Sequence, residues 1–531
     1  MSLPITFPHP PVVEADYKDP GLDDYRNNPL IEALPLINDP ADLKGVLTVR
    51  PKFMEKERAL PAYLRRHCVL RLRSLIVQRA MFIPFEATVS GMIRYGYKSR
   101  NPLNPRTLQM LYALGMNDPA ALEAVAQQTS DAGACIVSGP SGAGKSVMVE
   151  CTLALYPQVI LHKQYRDHPL IQPQVVYLIF ECPRGGSPRA LCLEFFRELD
   201  KRIGHNYYEQ YANSRLDADA LLDVIAQLCA TYFIGILVID EIQNLEAAIA
   251  TLKNKKNGET ILGPNAKQLL NFFVKLINRV GVPIIFVGTG DVNPLFKETL
   301  RHIRRATADG HFRVGRIRHD SPEWLYMVEQ FMPYQWLEHP LPFNHDATLV
   351  PGTLESGLLA GLNYLSCGLP DIFAKLFAQS QYLALRSGKE TLSTPLIEEA
   401  YNVALQPLHY CLDQLRATGP EDELEMRYEA GRPTNDVMES LWQPPNYADA
   451  SRTAGGEGAA SGINAGKEKD PEKADTREAI TDLPPQFASS TSDIGANNEK
   501  RIDLRTLKGA PNAVSRIREA GMTLNLTDIA K

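Results

Sequence analysis

Asp240 and Glu241 stand side by side in ILVIDEIQNL (236–245), directly after a run of four aliphatic residues. Two carboxylates at the end of a buried strand repel each other and resist desolvation unless a cation joins them. Upstream, Gly139, Pro140, Ser141, Gly142, Ala143, Gly144, Lys145 and Ser146 fit G-x-x-x-x-G-K-[ST] at every fixed position. A hydrophobic stretch precedes this loop and a helical one, with Val147 in its first turn, follows, which is the context the motif needs. The glycines let successive backbone N–H groups turn inward as an anion nest, and the helix N-terminus adds positive potential beneath a phosphate. Lys145 would neutralise the β- and γ-phosphate oxygens, and the Ser146 hydroxyl would take one corner of a Mg²⁺ octahedron. Asp240 can hold that Mg²⁺ through water, and Glu241 can orient and deprotonate the water that attacks the γ-phosphate. The chemistry these residues point to is hydrolysis of ATP with Mg²⁺.

Further polar residues extend the site. Thr289, at the end of VPIIFVGT, is placed to sense the γ-phosphate, or else is a turn threonine bonded to its own backbone. Arg304 and Arg305 follow fifteen residues later. In a ring of subunits one of them, Arg305 by preference, can enter a neighbour's site as an arginine finger; otherwise the two are a solvated pair.

The elements that must position these groups read as α/β. Strands are expected at 133–140, 157–161, 175–181, 235–241 and 282–289, in a parallel sheet with helices on both faces. Leu269, Leu270, Phe273, Leu276 and Ile277 mark a crossover helix before the last of them. The expected divisions are an N-terminal basic extension (1–115), a P-loop ATPase core (116–345), a small all-helical lid (346–418), a disordered linker (419–497) and a short tail (498–531). Within the extension, residues 60–82 read as one helix. The linker, rich in Gly, Ala, Ser, Asp and Lys, has too little apolar surface to fold.

Composition sets bounds. The 531 residues are 44% hydrophobic and 22% charged, with a net charge of −6, as in an ordinary globular protein. Charge is segregated: residues 44–106 hold fourteen Lys/Arg against three Asp/Glu, either a solvated face or a nucleic-acid surface. No run of eighteen apolar residues exists, so no membrane partner is expected. The start lacks the pattern of a secretory signal. The eight cysteines are scattered without metal-like spacing, as reduced core thiols are, and the cytoplasm is the expected compartment.

Beyond the ATPase motifs, the chain resembles the TnsC group, the AAA+ regulators of Tn-seven-like transposons. The likeness lies in DYRNNPLIEALPL (24–36), VSGMIRYGYKSRNP (89–102), LVIDEIQNL, LLNFFVKLINRVGVPIIFVGT, LPDIFAKLF and the ending IDLRTLKG with REAGMTLNLTDI. The resemblance implies the AAA+ fold and an ATP-dependent switch for DNA transposition in a bacterial, nucleoid-associated setting. Such proteins assemble as homo-oligomeric rings or filaments on target double-stranded DNA. They link a target selector of the TnsD or TniQ kind to the transposase subunits, and ATP hydrolysis releases them. It also implies DNA-backbone contacts, blind to sequence, from the insertion ECPRGGSPRALC, where Arg184, Ser187 and Arg189 can reach phosphates. One departure stands out: Gly368-Leu369-Pro370-Asp371 puts an acid where the wider AAA+ lid often has a sensor arginine, with Lys375 one turn on. The alternative reading is an AAA+ replication initiator or helicase loader.

Overall fold

The computed structural model describes residues 12–115, 132–244, 264–289, 310–348, 354–417 and 431–444. Five strands form the central sheet: β2 (Ala134–Ser138), β5 (Tyr177–Glu181), β6 (Ile236–Asp240), β7 (Ile284–Gly288) and β8 (His311–Arg313). Their order is β5-β6-β7-β2-β8 and every pairing is parallel. Helices cover both faces, so the middle strands are continuous apolar runs; all five residues of β2 and of β7 are buried. The helices Pro188–Ile203 and Ala218–Thr231 pack on β5 and β6 through Phe195, Phe196, Leu221 and Ile225. The expected crossover helix runs from Pro264 to Lys275, continues as a π-helical turn to Val280, and is stopped by Gly281 at φ 78°. This is the expected α/β P-loop fold.

Three local expectations need correction. The stretch at 157–161 does not join the parallel sheet. It opens β3 (Val159–Tyr165), which pairs antiparallel with β4 (His168–Val175) and parallel with β1 (Val12–Glu14) in a separate three-stranded sheet. Its alternating buried and exposed residues suit a hairpin wetted on one face rather than a doubly covered strand. The single helix expected over 60–82 stops at Val69 and gives way to a 3₁₀ turn, Leu70–Ser74. There Ile76 exchanges two backbone hydrogen bonds with Val49, at 2.9 and 3.0 Å, and tertiary pairing overrides the helical pattern. Thirdly, residues 431–444 are not linker but a folded strap containing the helix Asn435–Ser440, with Met438, Leu441 and Trp442 buried. These three side chains supply apolar surface that the surrounding composition lacks. The rest of the expected linker and the tail 498–531 lie outside the described residues.

Four of the fourteen cations of the basic N-terminal stretch serve the interior. Arg65, Arg79, Arg94 and Arg100 are buried. Arg65 makes a two-pronged contact with Glu390, Arg79 pairs with Glu323 at 2.8 Å, and Arg100 donates to the Ile234 carbonyl at 2.6 Å. Helices Leu354–Ser366, Pro370–Ser387, Thr394–Ala404 and His409–Arg416 form the expected all-helical segment. All eight cysteines are buried with no disulfide among them. Among the described residues, no helix is long and apolar enough to cross a membrane.

Candidate active site

The P-loop leaves the carboxyl end of β2 and opens the helix Lys145–Leu153. Gly139, Gly142 and Gly144 adopt φ of 150°, 83° and 97°, which only glycine takes without strain. At Gly139 the need is also steric, since a Cβ there would stand 2.1 Å from the Val314 carbonyl oxygen. Lys145 folds back across the loop, its Nζ donating to the carbonyls of Gly139 at 2.8 Å and Pro140 at 3.0 Å. Residues Ser141, Gly142, Ala143, Gly144, Lys145, Ser146 and Val147 line one cavity of about 820 Å³; Gly139 and Pro140 sit behind it as the lysine's acceptors.

Strand order brings the remaining groups to the same edge. β7 lies between β2 and β6, so Thr289, just past β7, stands between the P-loop and the acidic pair. The Ser146 hydroxyl donates to Asp240 Oδ2 at 2.7 Å, so the two expected metal ligands already share one spot. A hydroxyl and a carboxylate are hard oxygen donors that fit Mg²⁺, whose remaining positions water and phosphate would fill. Among the described residues, no group of three or more His, Cys, Asp or Glu side chains is placed to hold a metal ion.

Glu241 takes left-handed backbone at φ 55°, uncommon for a non-glycine residue and a mark of local strain. Although Glu241 presents surface to solvent, burial of its surroundings and then the Asp240 charge push its carboxyl above the ordinary range, against the pull of Lys145. This is the repulsion that the paired acids imply. Gln243, which the motif reading passed over, ties the corner together. Its amide donates to the Glu241 carboxylate, and its oxygen accepts from the Thr289 N–H at 3.2 Å. The Thr289 hydroxyl is buried with no partner among the described residues, a donor facing the cavity that a phosphate oxygen would satisfy.

Segments outside the motifs complete the wall. Leu72, Leu75, Ile76, Val77 and Arg79 reach the cavity from the N-terminal region, and Asp371 and Lys375 from the helix Pro370–Ser387. Arg432 and Trp442 of the strap also line it. The sequence signal for these is weak: a lone tryptophan, Trp442, within a polar stretch. Arg79 donates to the Ala143 carbonyl at 2.9 Å and braces the P-loop from behind.

The expected DNA contacts fare unevenly. Arg189 is engaged with four carbonyls, those of Tyr211, Ala212, Ser214 and Leu216, closing the end of the helix Tyr207–Ala212. Ser187 caps the helix Pro188–Ile203, accepting from the Ala190 N–H. In this fold both side chains satisfy backbone groups that helix termini leave open. Arg184 is exposed on the loop. Arg304 and Arg305 lie outside the described residues.

No sequence relative is found among curated proteins. Similar solved structures include the Aeropyrum pernix ORC2 protein in ADPNP–ADP complexes, at 13% identity and TM-score 0.32, covering 65% of this chain and 83% of that one. Cdc6p from Pyrobaculum aerophilum gives 13% identity and TM-score 0.33 with 66% and 84% coverage. The Walker-type ATPase of Pyrococcus abyssi gives 16% and 0.32, with 58% and 82%. Residues 127–296, from just before β2 to beyond β7, match the AAA domain family, and the chain therefore carries an AAA domain around the site.

Proposed function

We propose that this chain is an ATP-hydrolysing assembly switch that regulates DNA transposition. The observation that carries the ATPase part is the convergence on one cavity of Lys145, the Ser146–Asp240 contact, Glu241 and a buried Thr289 hydroxyl with no partner among the described residues. The P-loop N–H groups and Lys145 hold the triphosphate, and Thr289 donates to its terminal phosphate. Glu241, with its carboxyl aligned by Gln243, takes the proton of the attacking water. Mg²⁺ bound at Ser146 and Asp240 would supply charge neutralisation between the β- and γ-phosphates.

The transposition part rests on the sequence resemblance. In this reading ATP lets protomers assemble as a ring or filament on duplex DNA, with Arg304 or Arg305 completing the neighbour's site. Arg184 remains the DNA-backbone candidate of the insertion loop. The tail, residues 498–531, captures a transposition partner, and hydrolysis releases the assembly.

The deciding experiment is electron microscopy of the purified chain with duplex DNA and a slowly hydrolysed ATP analogue. Oligomers encircling the duplex, absent with ADP and absent in Lys145→Ala, are expected. A monomer that binds DNA equally well without nucleotide overturns the reading.

A further inference from the structure

The lid lacks an arginine at the expected place, yet the cavity does not lack one. Asp371 sits against the P-loop, its N–H donating to the Gly142 carbonyl at 3.2 Å. Two cations share this carboxylate. Lys375, one turn along the same helix, pairs with it closely and lies 5.3 Å from the centre of the Trp442 ring. Arg432 approaches from the strap, but its Nη2 stays 3.9 Å from Asp371 Oδ2, too far for a hydrogen bond. Its Nε is buried with no partner among the described residues. A guanidinium with an unsatisfied buried N–H, loosely paired and lining the cavity beside an anion nest, is short of acceptors that phosphate oxygens would supply.

The strap that carries Arg432 is firmly seated. Gln379 donates to the carbonyls of Leu441 at 2.6 Å and Gln443 at 2.8 Å, and the Tyr382 hydroxyl donates to the Trp442 carbonyl at 3.1 Å. Glu439 pairs with Arg73 of the N-terminal region, so the strap bridges the two walls of the cavity.

We propose that Arg432, delivered by the strap from beyond the helical lid, is a nucleotide-phosphate ligand that leaves Asp371 when nucleotide binds. This rests on the nucleotide reading of the cavity and assigns it a further residue. Asp371 is then a competitor that holds Arg432 until a phosphate replaces it.

Equilibrium binding of ADP and of a slowly hydrolysed ATP analogue, with magnesium, to the full chain tests the idea. Arg432→Ala should weaken the analogue about tenfold or more, the scale of one lost charged hydrogen bond, and Arg432→Lys should recover part of it. Asp371→Asn should bind the analogue as tightly as the wild type or more tightly, because it removes the competitor. If Arg432 serves only to hold the strap on Asp371, Asp371→Asn and Arg432→Ala will lose affinity alike and lower the nucleotide-free melting temperature alike, and the proposal fails. It also fails if Arg432→Ala binds within about twofold of wild type. Lys145→Ala separates the two levels. If it abolishes binding while Arg432→Ala does not weaken it, the cavity remains the nucleotide site and only the role of Arg432 falls. If the wild-type chain binds neither nucleotide, both fall.

Discussion

Glu241, the proposed hydrolytic base, sits where its charged form is disfavoured. Its folded-state carboxyl titrates above the unfolded value, so the folded chain binds the extra proton in the window between the two. Stability therefore falls as pH rises through that window, and the charged form is the strained one at neutral pH. Glu241→Gln should melt at a higher temperature than wild type at pH 7.5 without nucleotide, and the gap should close as pH falls towards 4.5, the ordinary value for Glu. The same variant should bind ATP and remain trapped on DNA; normal turnover would place the hydrolytic base elsewhere. Thr289 makes the complementary case. Its hydroxyl has no hydrogen-bond partner among the described residues, so Thr289→Val should leave the nucleotide-free melting temperature unchanged or higher. Hydrolysis should slow by roughly tenfold or more, because a donor to a charged phosphate is gone. Single-turnover ATPase rates and thermal melts on the same preparation check both halves.

At the scale of elements, the acidic strand is aimed by a helix far away in sequence. Helix Phe82–Lys98 sends Tyr97 to the turn before β6, where its hydroxyl donates to the Phe233 carbonyl at 2.9 Å. Arg100, just beyond that helix, binds the next carbonyl, and burial pulls its guanidinium down to about 10. Gly235 is the tight point: a Cβ there would stand 2.4 Å from the Val176 carbonyl oxygen and 2.5 Å from the Tyr97 hydroxyl. Gly235→Ala should cost about 1–3 kcal/mol, as overpacking does, and should shift β6 enough to slow hydrolysis. Chemical denaturation and ATPase assays measure the two effects; a fully active, equally stable variant would show that this turn does not set the strand.

At the largest scale described, within residues 12–444, charge pairs distant in sequence tie the N-terminal region to the helical part of the chain that follows β8. Arg65 of the N-terminal region and Glu390, just after the helix Pro370–Ser387, form a mostly buried pair, and Arg65 also donates to the Trp336 carbonyl at 3.2 Å. Removing one partner leaves the other buried and unpaired, so Arg65→Ala should cost about 3–5 kcal/mol. Urea unfolding of the nucleotide-free chain measures it, and a loss below about 1 kcal/mol would mark the pair as no better than a surface contact. Because Arg79 and the 70–77 segment also line the cavity, loosening this clamp should weaken nucleotide binding as well.

The sequence alone determined the parts whose chemistry is local. The P-loop, the acidic pair and the strands carrying them were legible because consecutive residues form an anion nest and because strands covered on both faces are unbroken apolar runs. Thr289 was legible for the same reason, as the residue that ends such a run. Tertiary structure decided what depends on partners far along the chain. That Arg189 and Ser187 bond backbone groups at helix ends is not written in their types, nor is it written which four arginines of the basic stretch carboxylates and carbonyls from elsewhere would bury. Ile76 left its helical pattern because Val49 offered strand pairing, and the strap emerged from a polar stretch because Trp442 found a seat against Gln379 and Tyr382. A side chain's type is written in the sequence, but whether its hydrogen bonds are already taken depends on which distant backbone groups the fold brings within reach.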